Sequence, residues 1–308
     1  MDEAMENSET HSPMPSELGI LEFLGVCNSF YPPDAMNAPI AQQRVWYDAL
    51  CARFDRPLPD GLIFQDEVLF VPIRRYRPAL ITTQKVLLYL HGGGFVVGSL
   101  ESHHAICAEI AEFAQAELIS VDYRLAPEHV WPAQTDDCYG VLKQLIGQDK
   151  QVVVIGDSAG GNLAAGLSLR ARDENLPGII GQVLIYPALG GDLTSGSYRE
   201  MANAPGLTTA DVAYYRAVLT APENEPVAHP LLSSDLCGLP PAYITVAHFD
   251  PLRDDGWHYA QRLKQSGVLA TFRDEPQMIH AWLRARHMSE GARDGFKALC
   301  EAIRGFAA

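Results

Sequence analysis

Five short apolar runs limit what this chain can fold into: residues 86–90, 118–123, 152–155, 182–186 and 243–247. They are rich in Val, Ile and Tyr and read as continuously apolar. A strand with one face in water shows a polar residue at every second position, whereas a strand covered on both faces does not. Between the runs lie segments with helical spacing: Ile106, Ile110 and Phe113, then Cys138, Val141, Leu142 and Leu145. After the last run, Ala292, Phe296, Leu299 and Ile303 again share a helical face. Strands that alternate with helices join by right-handed crossovers. The expected core is therefore an α/β fold, a mostly parallel central sheet with helices on both faces. At 308 residues the chain is long enough for one such domain carrying an insertion.

Two regions break the alternation. Residues 1–60 read as helix fragments interrupted by Pro13, Pro15, Pro32, Pro33 and Pro39, with no strand among them. Residues 188–240 separate two strands by far more than a crossover needs. They open on a Gly/Ser-rich stretch and continue in a helix from Thr209 that carries Val212, Tyr215 and Leu219 on one face. A long excursion from a compact α/β core is usually a lid or binding loop. The expected division is an N-terminal cap segment (1–60), a first part of the core (61–189), a cap insertion (190–230) and a second part of the core (231–308).

Several function classes are disfavoured by composition. Net charge is −15, and the first 43 residues hold seven acidic side chains with no Lys or Arg. Nucleic acid binding needs clustered cations, and an anionic membrane surface would repel this segment too. On field repulsion alone, uncharged acyl groups suit this chain better than anionic substrates. No apolar run approaches the ~18 residues needed to span a bilayer. The N-terminus has no positive region of the secretory kind, and the six cysteines have no CxxC spacing, so free thiols in the cytoplasm are expected. No metal site is expected: there is no H-E-x-x-H, and the adjacent His103 and His104 would diverge on a helix.

The strongest chemical signal is Gly156-Asp157-Ser158-Ala159-Gly160, set between an apolar run and a helical segment. In G-x-S-x-G the serine sits on a sharp strand-to-helix turn with its hydroxyl exposed. A helix N-terminus at that place favours the negative charge that acyl transfer develops. The second signal is His91-Gly92-Gly93-Gly94, directly after the run 86–90. Glycines there let backbone N–H groups reach a substrate oxygen, as an oxyanion hole requires. Phosphate binding fails on spacing, because Val97 stands where a third glycine would be and no G-K-[ST] follows. His91 itself is expected to brace the loop. A serine nucleophile needs a base, and the base an orienting acid, and in this fold order both follow the serine. Asp250 comes just after the run 243–247, while Asp254 and Asp255 read as acids of a first helical turn. His280 lies between the extended segment 270–276 and the C-terminal helix, and His287 is the weaker candidate for the base.

Together these residues resemble the hormone-sensitive-lipase-like branch of the α/β-hydrolases, the bacterial family IV esterases. The resemblance runs from about residue 60 to the C-terminus. It rests on His91-Gly-Gly-Gly94, Tyr123-Arg-Leu-Ala-Pro-Glu-His129, Gly156-Asp-Ser-Ala-Gly-Gly161 and Asp250-Pro-Leu-Arg-Asp-Asp-Gly256, in family order. It implies the α/β-hydrolase fold with a helical cap. It further implies Ser158 as nucleophile, Asp250 as acid and His280 as base, with an oxyanion hole from the N–H groups of Gly93, Gly94 and Ala159. The implied activity is that of a serine carboxylesterase on short- to medium-chain esters, needing no cofactor and no metal. The implied partner is a small-molecule ester, with a homodimer left open and no nucleic acid or stable membrane association. An amidase or deacetylase would use the same triad. A non-catalytic receptor on this fold, like the plant gibberellin receptor, lacks the catalytic histidine, which His280 here supplies. Where the family usually has His-Gly-Phe, this chain has His280-Ala281-Trp282, so Trp282 is expected to add bulk near the site.

Overall fold

The computed structural model describes residues 13–32 and 35–308. Residues 1–12, Pro33 and Asp34 lie outside the described residues, and with them most of the acidic N-terminal segment. Among the described residues, eight strands form one sheet: β1 (Ile63–Val68), β2 (Pro72–Arg77), β3 (Val86–Leu90), β4 (Glu117–Val121), β5 (Val152–Asp157), β6 (Ile179–Ile185), β7 (Ala242–Phe249) and β8 (Ala270–Ile279). The helices are α1 (Leu18–Asn28), α2 (Ile40–Arg53), α3 (His104–Ala114), α4 (Ala133–Gly147), α5 (Ala159–Asp173), α6 (Gly196–Glu200), α7 (Thr209–Leu219), α8 (Arg253–Gln265) and α9 (Glu290–Ala307).

The strands run in the order β1-β2-β4-β3-β5-β6-β7-β8. From β4 to β8 every neighbouring pair is parallel. The five apolar runs are strands β3 to β7, and the reason for their continuous apolarity is visible in β3. Leu87 and Tyr89 pack on one side with Ile106 and Ile110 of α3 and Leu299 and Ile303 of α9. Val86, Leu88 and Leu90 pack on the other with α4, α5 and α8. Both faces are covered, so apolar side chains dominate these strands, and the few polar ones, such as Ser120, Asp157, Gln182 and Thr245, are themselves buried.

β1 and β2 form an antiparallel hairpin that continues antiparallel onto β4, and the apolar pattern gave no sign of them. Their strands are charged, and ion pairs line them: Arg74 with Asp66 (2.6 Å) and Glu101 (2.6 Å), and Arg75 with Glu67 (3.1 Å) and Glu117 (2.5 Å). β8 runs three residues beyond the expected 276. It closes the other edge of the sheet, where Pro276 can sit without cancelling a ladder bond on both sides.

The regions outside the alternation are helical and are clasped to the core by a few polar residues. Before α1, Ser16 N–H donates to Gln277 (2.7 Å), and Glu17 accepts from Ser289 Oγ and from Gly291 N–H (3.2 Å). On α2, Arg44 donates to the carbonyls of Val96 (2.8 Å) and Ala126 (3.0 Å) and pairs with Glu128 (2.7 Å). Between β6 and β7, α7 starts at a capping box in which Thr208 and Asp211 each satisfy the other's backbone N–H. All six cysteines are unpaired. Among the described residues no helix is long and apolar enough to cross a membrane.

Candidate active site

Ser158 is the single residue between the end of β5 and the start of α5, at φ 55° and ψ −116°. A residue with a Cβ pays for that conformation, so the surrounding packing must hold it there. Two flanking glycines make the turn sterically feasible. A Cβ on Gly160 would collide with the Leu90 carbonyl, and one on Gly156 with the Gly160 carbonyl. The result is a hydroxyl held out over a cavity of about 410 Å³.

Asp250 and His280 arrive by the same device, each being the first residue beyond a strand, β7 and β8 respectively. Ser158 Oγ–H donates to His280 Nε2 (2.9 Å), and His280 Nδ1–H donates to Asp250 Oδ2 (2.6 Å). The other Asp250 oxygen accepts from Leu252 N–H (2.9 Å), which fixes the carboxylate's rotation. Asp250 is fully buried and His280 nearly so, so little water competes for these bonds. The loop after β3 brings Gly93 and Gly94 to the cavity beside Ser158 and Ala159. As the first residue of α5, Ala159 has an N–H with no acceptor inside the helix. The geometry thus brings together Ser158, His280, Asp250, Gly93, Gly94 and Ala159, the set expected from sequence.

His91 does brace the glycine loop. It is buried, its ring stacks on Tyr123 at 4.2 Å, and its Nδ1–H donates to the Gly92 carbonyl (2.8 Å). Tyr123 returns a bond from its hydroxyl to the His91 carbonyl (2.6 Å). Burial, aided by nearby His103, drives the His91 pKa down to about 3, so the ring stays neutral.

Sequence reasoning did not reach Asp157. Its buried carboxylate accepts from Gly92 N–H (2.9 Å) and the Tyr89 hydroxyl (2.9 Å), and His103 Nε2 lies 3.3 Å away. Burial by itself would raise its pKa, but His103, Arg284 and Tyr89 hold it well below the usual carboxylate range. Asp157 therefore ties the glycine loop to the nucleophile turn. Arg284, in the 3₁₀ turn Trp282–His287, offsets part of its charge. Arg284 donates to Tyr47 Oη (2.9 Å) and Cys51 Sγ (3.3 Å), which links this turn to α2, and its Nη2 lies 3.3 Å from His103 Nε2. Asp157 lies inside the serine motif, but no spacing rule links position 157 to 92, 103 or 284.

The weaker candidates have other partners. His287 sits 3.1 Å from Glu109, and His248 2.9 Å from Asp274. His103 and His104 do diverge, His104 turning to Arg74 (3.3 Å) and Tyr76 (3.0 Å). Asp254 and Asp255 stand in the first turn of α8. Their carboxylates serve the loop after β6, however, and not the helix dipole alone. Asp255 is buried and accepts from Leu189 N–H (2.7 Å), Tyr198 Oη–H (3.0 Å) and Gly191 N–H (3.3 Å). Trp282 corrects the sequence reading. It is fully buried in the main core against Tyr186 and Gly295 and does not line the cavity, because Ala281 in the left-handed region (φ 63°) turns the chain away from the site. The cavity walls come instead from Phe23 and Leu24 of α1 and from Leu207, Val212 and Tyr215 of the segment between β6 and β7.

A family profile described as alpha/beta hydrolase fold matches residues 87–284. The carboxylesterase NlhH of Mycobacterium tuberculosis is 39% identical over 232 residues, covering 71% of this chain and 73% of that one. An ethyl acetate hydrolase of Pseudomonas putida is 34% identical over 247 residues, 76% of this chain and 78% of that one. Among solved structures, an esterase of the bacterial hormone-sensitive lipase family superposes with a TM-score of 0.88 at 25% identity, covering 96% of this chain and all of its own.

Proposed function

As a member of the α/β-hydrolase family, in its hormone-sensitive-lipase-like branch, this chain is a carboxylic ester hydrolase, and we propose that Ser158, His280 and Asp250 are its nucleophile, base and orienting acid. The observation that carries this reading is the continuous hydrogen-bond chain from Ser158 through His280 to Asp250, open to the cavity at one end and buried at the other. His280 Nε2 takes the proton as Ser158 Oγ attacks the ester carbonyl. The N–H groups of Gly93, Gly94 and Ala159 hold the oxyanion. The imidazolium then gives its proton to the departing alcohol oxygen, leaving an acyl-enzyme. Water, deprotonated by the same nitrogen, releases the acid and restores the serine. Asp250 keeps the proton on Nδ1 and stabilises the imidazolium throughout.

The substrate we assign is a small-molecule ester with an acyl chain of roughly two to eight carbons, because each buried methylene adds ~0.8 kcal/mol only until the chain meets the cavity wall. The bounded cavity and the likeness to an ethyl acetate hydrolase support this range. Residues of α1 and of the 190–230 insertion act as the cap over the site. The unpaired cysteines suit a reducing, cytoplasmic setting.

Ser158→Ala is expected to abolish ester turnover, and an organophosphonate to label Ser158 alone. Near-native activity in the variant, or labelling of another serine, overturns the assignment. Matched ester and amide substrates assayed in parallel separate esterase from amidase action. An optimum near twelve carbons or longer in a p-nitrophenyl ester series would show that the pocket is misjudged, since the gain per methylene would then continue past the walls.

A further inference from the structure

One part of the cavity does not suit a purely apolar acyl group. Arg284 lines the cavity wall and is about 5% exposed, so its guanidinium is a buried cation. Its Nε and Nη2 are engaged with Cys51, Tyr47 and His103, but Nη1 has no hydrogen-bond partner among the described residues. Tyr31, just beyond α1, lines the same cavity within electrostatic reach of Arg284, and its hydroxyl also has no partner among the described residues. The two Nη1 N–H donors thus reach the cavity with no protein acceptor among the described residues, and a carboxylate is the group whose geometry and charge match them. Asp157 already balances part of the charge of Arg284 electrostatically, but it leaves Nη1 unengaged.

We propose that Arg284 Nη1 and the Tyr31 hydroxyl form a subsite for a carboxylate at the far end of the substrate, so that the preferred esters are half-esters of dicarboxylic acids. This rests on the esterase reading above. The net negative charge of the molecule does not count against it. That field is screened over ~8 Å at physiological salt, whereas a guanidinium in contact is not. The acyl chain crosses the apolar stretch of the cavity, its distal carboxylate accepts from Arg284 and Tyr31, and the scissile carbonyl lies at Ser158.

The test compares monoethyl glutarate with ethyl pentanoate, esters of equal acyl length, by pH-stat at neutral pH and physiological salt. In the wild-type protein the half-ester should have the higher kcat/KM, and glutarate should inhibit competitively. The ratio of the two kcat/KM values should fall about ten- to a hundredfold in Arg284→Met, the range for losing a charged hydrogen bond, and by a smaller factor in Tyr31→Phe. Arg284→Lys should recover part of the ratio. If Arg284 only balances Asp157, both substrates slow together and the ratio stays put, which overturns the subsite. A wild-type protein that prefers ethyl pentanoate and is not inhibited by glutarate overturns it as well, and leaves the esterase reading standing. Failure to hydrolyse either ester overturns both. Should Arg284→Met not fold, the Tyr31→Phe ratio and glutarate inhibition of the wild-type protein decide.

Discussion

Acid tests the glycine loop through His91. In the unfolded chain this histidine takes a proton near its ordinary pKa of 6.5, whereas burial in the folded protein lowers the value to about 3. A base whose folded pKa is depressed gives full stability above the unfolded value. Its contribution is lost as the pH falls from 6.5 towards 3, because only the unfolded chain gains the proton. From pH 7 to about 4.5 the linkage amounts to roughly 2.5 kcal/mol. The figure depends little on how far below 4.5 the folded value lies, since the folded ring is neutral across the interval either way. The perturbation is His91→Gln, which keeps a side-chain donor for the Gly92 carbonyl and removes the titration. Urea unfolding followed by circular dichroism at both pH values gives the loss for each protein. The wild-type loss should exceed the variant's by about 2.5 kcal/mol, whatever the variant costs at pH 7. Equal losses would refute the argument and mean that the ring is protonated in the folded state or reaches water.

Three further outcomes follow from the site. Asp250→Asn should lower kcat about 10⁴-fold with the fold intact, because the amide no longer holds the proton on His280 Nδ1; steady-state kinetics and circular dichroism check it. Asp255→Ala should cost roughly 2–3 kcal/mol by stranding buried donors after β6, while Asp255→Asn, which keeps an acceptor oxygen, should cost far less in the same unfolding assay. Trp282→Phe should lower the unfolding midpoint, at about 1–3 kcal/mol for the space it leaves. The acyl-length optimum should stay where it is, because Trp282 faces the core.

What could be read from the sequence follows burial. Strands β3 to β7 announced themselves because both their faces are covered, which forces a continuous apolar signature. The β1–β2 hairpin stayed hidden because ion pairs, and not apolar contacts, line it, and Arg74 is buried only by virtue of Asp66 and Glu101. In the site, the Ser158 turn was legible because the serine and the two glycines its close approaches demand fall within five consecutive residues, although one of those approaches is to the distant Leu90 carbonyl. Asp157 was not, because its partners lie 65 and 54 residues away and no local rule connects them. The direction of Trp282 was beyond reach for a related reason. It is set by one backbone angle at Ala281, where the sequence offers alanine and not the glycine that would have flagged a left-handed turn.

Ser158, Asp250 and His280 each stand one step past a strand, and the strands concerned are β5, β7 and β8. On the roles proposed above, the ribosome therefore delivers the hydrolytic apparatus in instalments. His280 is 122 residues behind Ser158, about 6 to 24 s of synthesis. Until β8 docks on the sheet edge, the emerging polypeptide carries an exposed serine with no proton acceptor. On the proposed roles a nascent or truncated chain hydrolyses no ester, and turnover begins only when the last strand has found its place. Turnover is for this protein a stringent report that the sheet is complete.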